Sequence, residues 1–471
     1  MTIEPTPADG FDTEIAAIVV GAGSAGLTAG LALRDADVEV MVLERDDKPR
    51  GSTSMSQGYL CAAGTAAQRA AGIDDTADVF FQDIMARSRN VADPVVARAV
   101  ADTAGPMMDW LHDRHHVPFG LNNPISWAGF FGHSRNRQHG VPSRTGEELH
   151  GALIRAFEEA GGMLVTGAHV QALYADPDGR VTGVRVHRAD GAVERIGCRA
   201  VVLATCGFGA NREMVRKYIP DFGNAPNYRY FGHEGNQGEG ILWGIDLGAD
   251  IACMDSFQGY GALAEPQGIL VNYDMVLRGA ICVNIEGKRF SNEAQDISAQ
   301  SLKVLAQPEG LGWVVFDDTR RAVVAHLPEF RELTRLGAVR SAETAAELAA
   351  LIRVPAAALE ETLASVHRMA AGLETCAFGR DFTANPPLTG PLHAIKVTGA
   401  LFHTQGGLRI DGGARVLRKD GSPLPNLMAA GGTACSISGH GCDGYLPSAG
   451  LCMAMTLGRL AGLSAAELAQ A

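Results

Sequence analysis

The residues with the clearest chemistry are three glycines in the run Gly21-Ala22-Gly23-Ser24-Ala25-Gly26, with a carboxylate, Glu44, 18 residues after the last of them. Glycines at this spacing let the main chain approach a pyrophosphate and aim helix N–H groups at it, and an acid ending the next strand accepts hydrogen bonds from ribose hydroxyls. That chemistry needs a strand, a tight turn, a helix and a second strand. Residues 15–20 read as a buried strand, 27–35 as a helix and 38–44 as the next strand, a β-α-β unit of about 30 residues. On its own the glycine run is only a tight turn; in this setting it predicts dinucleotide binding, with Arg45 beside Glu44.

Further along, Gly51, Ser52, Thr53, Ser56 and Gly58 concentrate glycine and small hydroxyl side chains in what reads as a loop lying along the cofactor. An amphipathic helix is expected over 146–160, then short strands near 164, 171 (with Val170) and 181–187. Residues 201–205 form another strand, which brings Thr205, Gly207 and Asn211 back to the nucleotide, as strand ends do in a doubly wound sheet. Residues 231–399 differ in texture, with a helical Ala- and Glu-rich patch at 342–369, and read as an inserted cap. Glycine-rich sequence then returns, with Gly432 and Thr433 near the nucleotide and Ala449 and Leu451 opening a closing helix over 449–463. The expected division is 1–231 with 400–471 for the nucleotide-binding domain, and 232–399 for the cap.

Composition narrows the function classes. The chain has 471 residues, 46% of them hydrophobic and 20% charged, which describes a folded protein of more than one domain and excludes a disordered one. Forty Lys and Arg against 53 Asp and Glu leave a net charge of −13, so no nucleic-acid partner is expected. The nine cysteines are odd in number and hold no C-x-x-C pair, which suggests reduced thiols in a cytoplasmic setting. His112, His115 and His116 cluster without a Cys or acidic partner at ligand spacing, so no metal is expected. Residues 15–33 form an uncharged run long enough to imitate a membrane span. Four of those positions are Gly, placed as a phosphate turn, and no span is expected.

The ordered motifs carry a resemblance over nearly the whole chain. Val19-Val20-Gly21-Ala22-Gly23-Ser24-Ala25-Gly26, Gly51-Ser52-Thr53, Arg144-Thr145-Gly146 and Ala204-Thr205-Cys206-Gly207-Phe208 are followed by Gly238-Glu239-Gly240. Gly287-Lys288-Arg289-Phe290-Ser291-Asn292-Glu293, Phe378-Gly379-Arg380 and His403-Thr404-Gln405-Gly406-Gly407 complete the series. The sequence resembles the flavoprotein family of fumarate reductases, succinate dehydrogenases and 3-ketosteroid dehydrogenases. The resemblance implies an α/β fold: a Rossmann-like FAD-binding domain with an inserted α+β cap that bears on substrate. It also implies hydride exchange between the flavin and a carbon near a carbonyl or carboxylate. Covalent members attach FAD through a His in the loop after the second strand; residues 49–59 contain none, so FAD is expected to be non-covalent.

Departures from the family pattern bear on the substrate. Where fumarate reductases place an acid-catalyst Arg after Asn-Glu, this chain reads Asn292-Glu293-Ala294-Gln295-Asp296, and where they clamp a carboxylate with Arg it reads Gly444-Tyr445-Leu446-Pro447-Ser448. A dicarboxylate calls for bidentate Arg, whereas a ketone needs only a hydrogen-bond donor on its oxygen. The resemblance therefore points to the ketosteroid-dehydrogenase-like branch and a small-molecule carbonyl substrate, probed through Tyr445, His403, Tyr260 and Asp296 as catalytic candidates. Ser448, His233 and Tyr273 are candidates for substrate contact. The expected reaction is desaturation α,β to a ketone, with electrons passing on to oxygen, a quinone or an electron-transfer protein. The alternatives are an ene-reductase acting on an enoate and an electron-relay subunit.

Overall fold

The computed structural model describes residues 2–121, 127–225 and 228–470. The strand Thr13–Val20 is apolar along its second half and is buried there, because it lies inside a nine-stranded sheet, parallel to Val40–Leu43 on one side and to Val193–Leu203 on the other. Met163–Val165 extends the parallel set beside Val40–Leu43. The uncharged run at 15–33 is thus a strand, a turn and most of the helix Ser24–Asp35.

Val193–Leu203 changes partners along its length. Its first residues pair antiparallel with Val181–Arg188, and Val201, Val202 and Leu203 pair parallel with Pro423–Ala429. The buried Asn426 sits at this fork: its Nδ2 donates to Val181 O (2.7 Å) and Arg199 O (2.8 Å), and its Oδ1 accepts from Val181 N (2.9 Å). An amide can both donate and accept, which is what a strand junction with both kinds of group requires.

Contacts divide the chain into two units: Met1–Ile219, Gly232–Phe257 and His403–Ala471 in the first, Pro220–Phe231 and Gln258–Phe402 in the second. Gly232–Phe257, assigned to the cap on sequence, packs instead with the first unit. The main-chain N–H of Gly240, in the helix Glu239–Asp246, donates to Thr205 Oγ1 (3.1 Å), and Ile251–Ala252 pairs with Gly407–Leu408. The terminal helix Ala449–Gln470 runs past the expected end at 463 and lies against Ser24–Asp35. A Cβ at Gly458 would fall 2.3 Å from Ala25 O, so only glycine permits this approach. By length and hydropathy this helix is apolar enough to cross a membrane, yet 67% of that stretch is buried within the protein.

The second unit is built on a sheet in the order Phe257–Ala264, Leu392–Thr404, Leu311–Asp317, Ile281–Val283, with Arg340–Ala342 also beside Leu392–Thr404. Helices Ala345–Ile352 and Ala356–Ala370 cover it through Leu348, Ile352, Leu359 and Leu363, which share a core with Ile281 and Trp313. Glu293 is buried in this unit between two guanidinium groups, Arg289 Nη2 at 2.6 Å and Arg380 Nη1 at 3.1 Å. These two cations hold its carboxyl below the usual range although burial opposes them.

Candidate active site

In the first unit an open cleft lies beyond the C-terminal ends of Thr13–Val20, Val40–Leu43 and Val193–Leu203. Ligands bind at this position in open α/β sheets. Gly21, Gly23, Ser24 and Ala25 form one wall, and Glu44, Arg45, Gly51, Ser52, Thr53, Val170, Thr205 and Gly432 continue the lining. Gly23 itself has no side chain to cap the helix Ser24–Asp35, whose first N–H, that of Ser24, donates to Thr53 Oγ1 (3.1 Å). A Cβ at Gly23 would meet only Thr53 Oγ1, at 3.6 Å, so the space above it belongs to the cleft. Gly26 is different: a Cβ there would sit 1.9 Å from Gly21 O, so this glycine permits the turn itself. Glu44 is fixed by the main-chain N–H groups of Ala22 (2.9 Å) and Asp46 (3.0 Å), one to each oxygen, and each oxygen keeps a lone pair for ribose. A glycine-lined helix N-terminus for a pyrophosphate and an oriented carboxylate for ribose fit FAD.

A second constellation of the first unit lies at the start of the terminal helix. His403 and Tyr445 meet edge to face, with ring centroids 5.8 Å apart and planes at 77°. The main-chain N–H groups of Ser448 and Gly450 favour the phenolate of Tyr445, but burial outweighs them and keeps the phenol protonated well above its ordinary pKa. Its O–H therefore remains a donor. Burial pulls His403 down to about 4, so its imidazole is neutral near pH 7. Gln405 Nε2 lies 3.3 Å from His403 Nδ1. Ser448 holds its backbone at φ +69, which turns the chain into the helix.

The sequence matches the FAD binding domain family model over residues 16–451. The chain belongs to this flavoprotein family. It is 30% identical over 460 residues to a probable fumarate reductase of Shewanella frigidimarina, covering 96% of this chain and 74% of that one. It is 28% identical over 552 residues to a 4-oxocyclohexanecarboxylate 2-dehydrogenase of Sinomonas cyclohexanicum, covering 97% and 93%. A solved 3-ketosteroid-Δ4-(5α)-dehydrogenase from Rhodococcus jostii, in complex with 4-androstene-3,17-dione, superposes with a TM-score of 0.79 at 26% identity, over 98% of this chain and 100% of that one. The flavoprotein is an FAD-dependent oxidoreductase of the fumarate reductase family.

Other residues singled out on sequence are placed differently in the flavoprotein. Gly51–Met55 is a short helix rather than a loop, because Ser54 N reaches back to Arg50 O (3.2 Å). Ser56 and Gly58 support it from outside the lining: Ser56 Oγ donates to Thr53 O (2.7 Å) and accepts from Gly58 N (3.1 Å). Gly207 and Thr433 back the cleft, with Thr433 Oγ1 donating to Cys206 O (3.0 Å). Asn211 caps the helix Arg212–Tyr218. Ala449 and Leu451 belong to the terminal helix.

His233, expected at the substrate, lines the nucleotide cleft: its Nε2 lies 3.1 Å from Asp46 Oδ2 and its Nδ1 accepts from Gly235 N. Asp296 has its Oδ1 spent on Ser298 N and Ala299 N, both at 2.8 Å, at the head of the helix Ala299–Leu305. Tyr260 donates to Val271 O (2.9 Å) and Tyr273 to Glu293 O (2.6 Å), and burial raises both phenols. A hydroxyl that gives its proton to a main-chain carbonyl inside a core is arranged as a structural group, not as a base.

Sequence reasoning passed over His169 and Asn236 in the lining, and it met Glu239 only within the motif Gly238-Glu239-Gly240. Glu239 Oε1 lies 3.6 Å from both Arg45 Nη1 and His169 Nε2, an arrangement of residues far apart in sequence that no local motif signals.

Proposed function

We propose that the flavoprotein introduces a carbon–carbon double bond α,β to the carbonyl of a cyclic ketone, with FAD held non-covalently. The observation that carries this reading is the pairing of a protonated Tyr445 with a neutral His403, where an Arg would serve a carboxylate. Tyr445 donates to the ketone oxygen and so stabilises the enolate-like charge that develops as a base takes the α-proton. The uncharged His403 imidazole orients the phenol without adding the positive charge that a carboxylate substrate needs. Bound FAD supplies the two-electron acceptor for the β-hydride. The named substrates of two similar proteins, a 4-oxocyclohexanecarboxylate and a 3-ketosteroid, are both cyclic ketones, which supports this class. A second reading, reduction of an enoate, is favoured by the fumarate- and urocanate-reductase names of other relatives.

The test is anaerobic. The holoenzyme is mixed with saturated cyclic ketones and, separately, with succinate, while flavin absorbance is followed. Bleaching by a ketone and not by succinate is the expected result. No bleaching by any of them, together with reoxidation of the reduced enzyme by an enoate, overturns the proposal in favour of the reductase.

A further inference from the structure

Folding brings four of the nine cysteines into two pairs. Cys61 meets Cys452 in the interior, both buried. Cys253 and Cys435 lie on neighbouring segments where both are only partly buried, and each thiol influences the protonation of the other. The backbone explains the meeting. Ile251–Ala252 pairs with one side of Gly407–Leu408, and Cys435 N donates to Leu408 O (2.9 Å) from the other. Gly406-Gly407 runs between the two cysteine segments: a Cβ at Gly406 would fall 2.1 Å from Cys253 O, and one at Gly407 2.8 Å from Ala434 C, so only glycines let the segments come this close. Cys253 also holds an uncommon backbone conformation for a non-glycine residue, φ +49.

Charged groups complete the cluster. His440 Nδ1 lies 2.7 Å from Asp255 Oδ1, and Asp255 raises the imidazole's pKa, favouring the cation. That cation and the Cys435 thiol favour the thiolate of Cys253 and draw its pKa down to about 7, against burial and the carboxylates of Asp255 and Asp93. Asp93 also faces Cys435, as does the Arg409 guanidinium. Cys61, Cys198, Cys206 and Cys282 are all raised by burial.

We propose that Cys253 and Cys435 are a reactive dithiol that takes small disulfides as reactants and closes to an intramolecular disulfide. The Cys253 thiolate attacks one sulfur of R–S–S–R, forming a mixed disulfide as RS⁻ leaves. Cys435 then attacks Cys253 Sγ, expelling the second RS⁻, and its proton goes to that leaving group. One S–S bond breaks and one forms, and two electrons pass from the protein to the reagent.

The experiment uses full-length holoenzyme and oxidised glutathione as the probe, followed by acid quench, alkylation and peptide mapping. The expected product is a Cys253–Cys435 linkage, with Cys61 and Cys452 fully alkylated after unfolding. Cys435→Ser retains glutathione as a stable mixed disulfide on Cys253, and Cys253→Ser leaves Cys435 unmodified. In the untreated wild-type protein, where no folding defect can intrude, Cys253 is alkylated about tenfold faster at neutral pH than an unactivated thiol of like exposure. His440→Ala moves the pH profile of that alkylation upward. Glutathione that remains on Cys253 of the wild type without closure, or Cys253 alkylation no faster than that of Cys442, overturns the proposal.

Discussion

The His403 ring meets the Tyr445 ring edge-on at 5.8 Å, and its Nε2 packs so closely on the terminal helix that a Cβ at Gly450 would stand 3.0 Å away. The helix start thus sets the imidazole, and the imidazole sets the phenol. Gly450→Ala is expected to displace His403 and lower turnover about tenfold while flavin content stays unchanged. Tyr445→Phe, which removes the donor and little volume, is expected to lower kcat about 10²- to 10³-fold. Steady-state rates normalised to bound flavin check both; equal loss of flavin and rate would place the pair in cofactor retention instead.

Two glycines of one motif should fail in different ways. Gly23→Ala puts its methyl into the cleft, touching only Thr53 Oγ1 at 3.6 Å, so the protein folds with native circular dichroism and holds FAD at least about tenfold more weakly. Gly26→Ala drives its methyl into Gly21 O at 1.9 Å and is expected to lose both flavin and soluble yield. Flavin absorbance per protein, read beside circular dichroism, separates the two outcomes.

Glu293 carries the compensation for two buried cations in its unit. Glu293→Gln leaves Arg289 and Arg380 short of a carboxylate and should destabilise the protein by about 3–5 kcal/mol. Thermal or urea unfolding measures this directly. A loss below about 1 kcal/mol would mean that the guanidinium groups find other partners.

Acid sensitivity is built into the first unit. Burial pulls His133 and His139 down to about 4, whereas an unfolded chain protonates histidine near 6.5. Between these values the unfolded state binds more protons, so stability is complete above about pH 6.5 and falls as pH drops toward 4. Each histidine contributes on the order of 3 kcal/mol over that window. Urea midpoints should decline through it, and His139→Gln should flatten the decline.

The parts readable from sequence were those encoded in contiguous residues. The strand, glycine turn, helix and Glu44 are such a run, and the structure lines the cleft with most of them. His403 and Tyr445 are 42 positions apart, and only the family resemblance brought them together beforehand. What escaped depends partly on partners distant along the chain and partly on local hydrogen bonds that residue type alone does not announce. Nothing near Asp296 announces that its carboxylate is taken by Ser298 and Ala299, nor does the surrounding sequence of Tyr260 reveal that Val271 O takes its proton. The boundary at Gly232–Phe257 escaped likewise, because its strand partner, Gly407–Leu408, lies about 150 positions onward.

The fit of Gly458 on Ala25 joins the first helix of the nucleotide unit to the last helix of the chain. During synthesis the glycine turn and Glu44 emerge well before Gly432 and the helix that backs the turn, which lie about 390 positions further along. The cleft is therefore incomplete until the terminal helix has been made, and FAD can be enclosed only after that stretch has been added. A polypeptide interrupted before the terminal helix carries every phosphate-binding residue of the glycine motif and still lacks the surface that keeps that motif in shape.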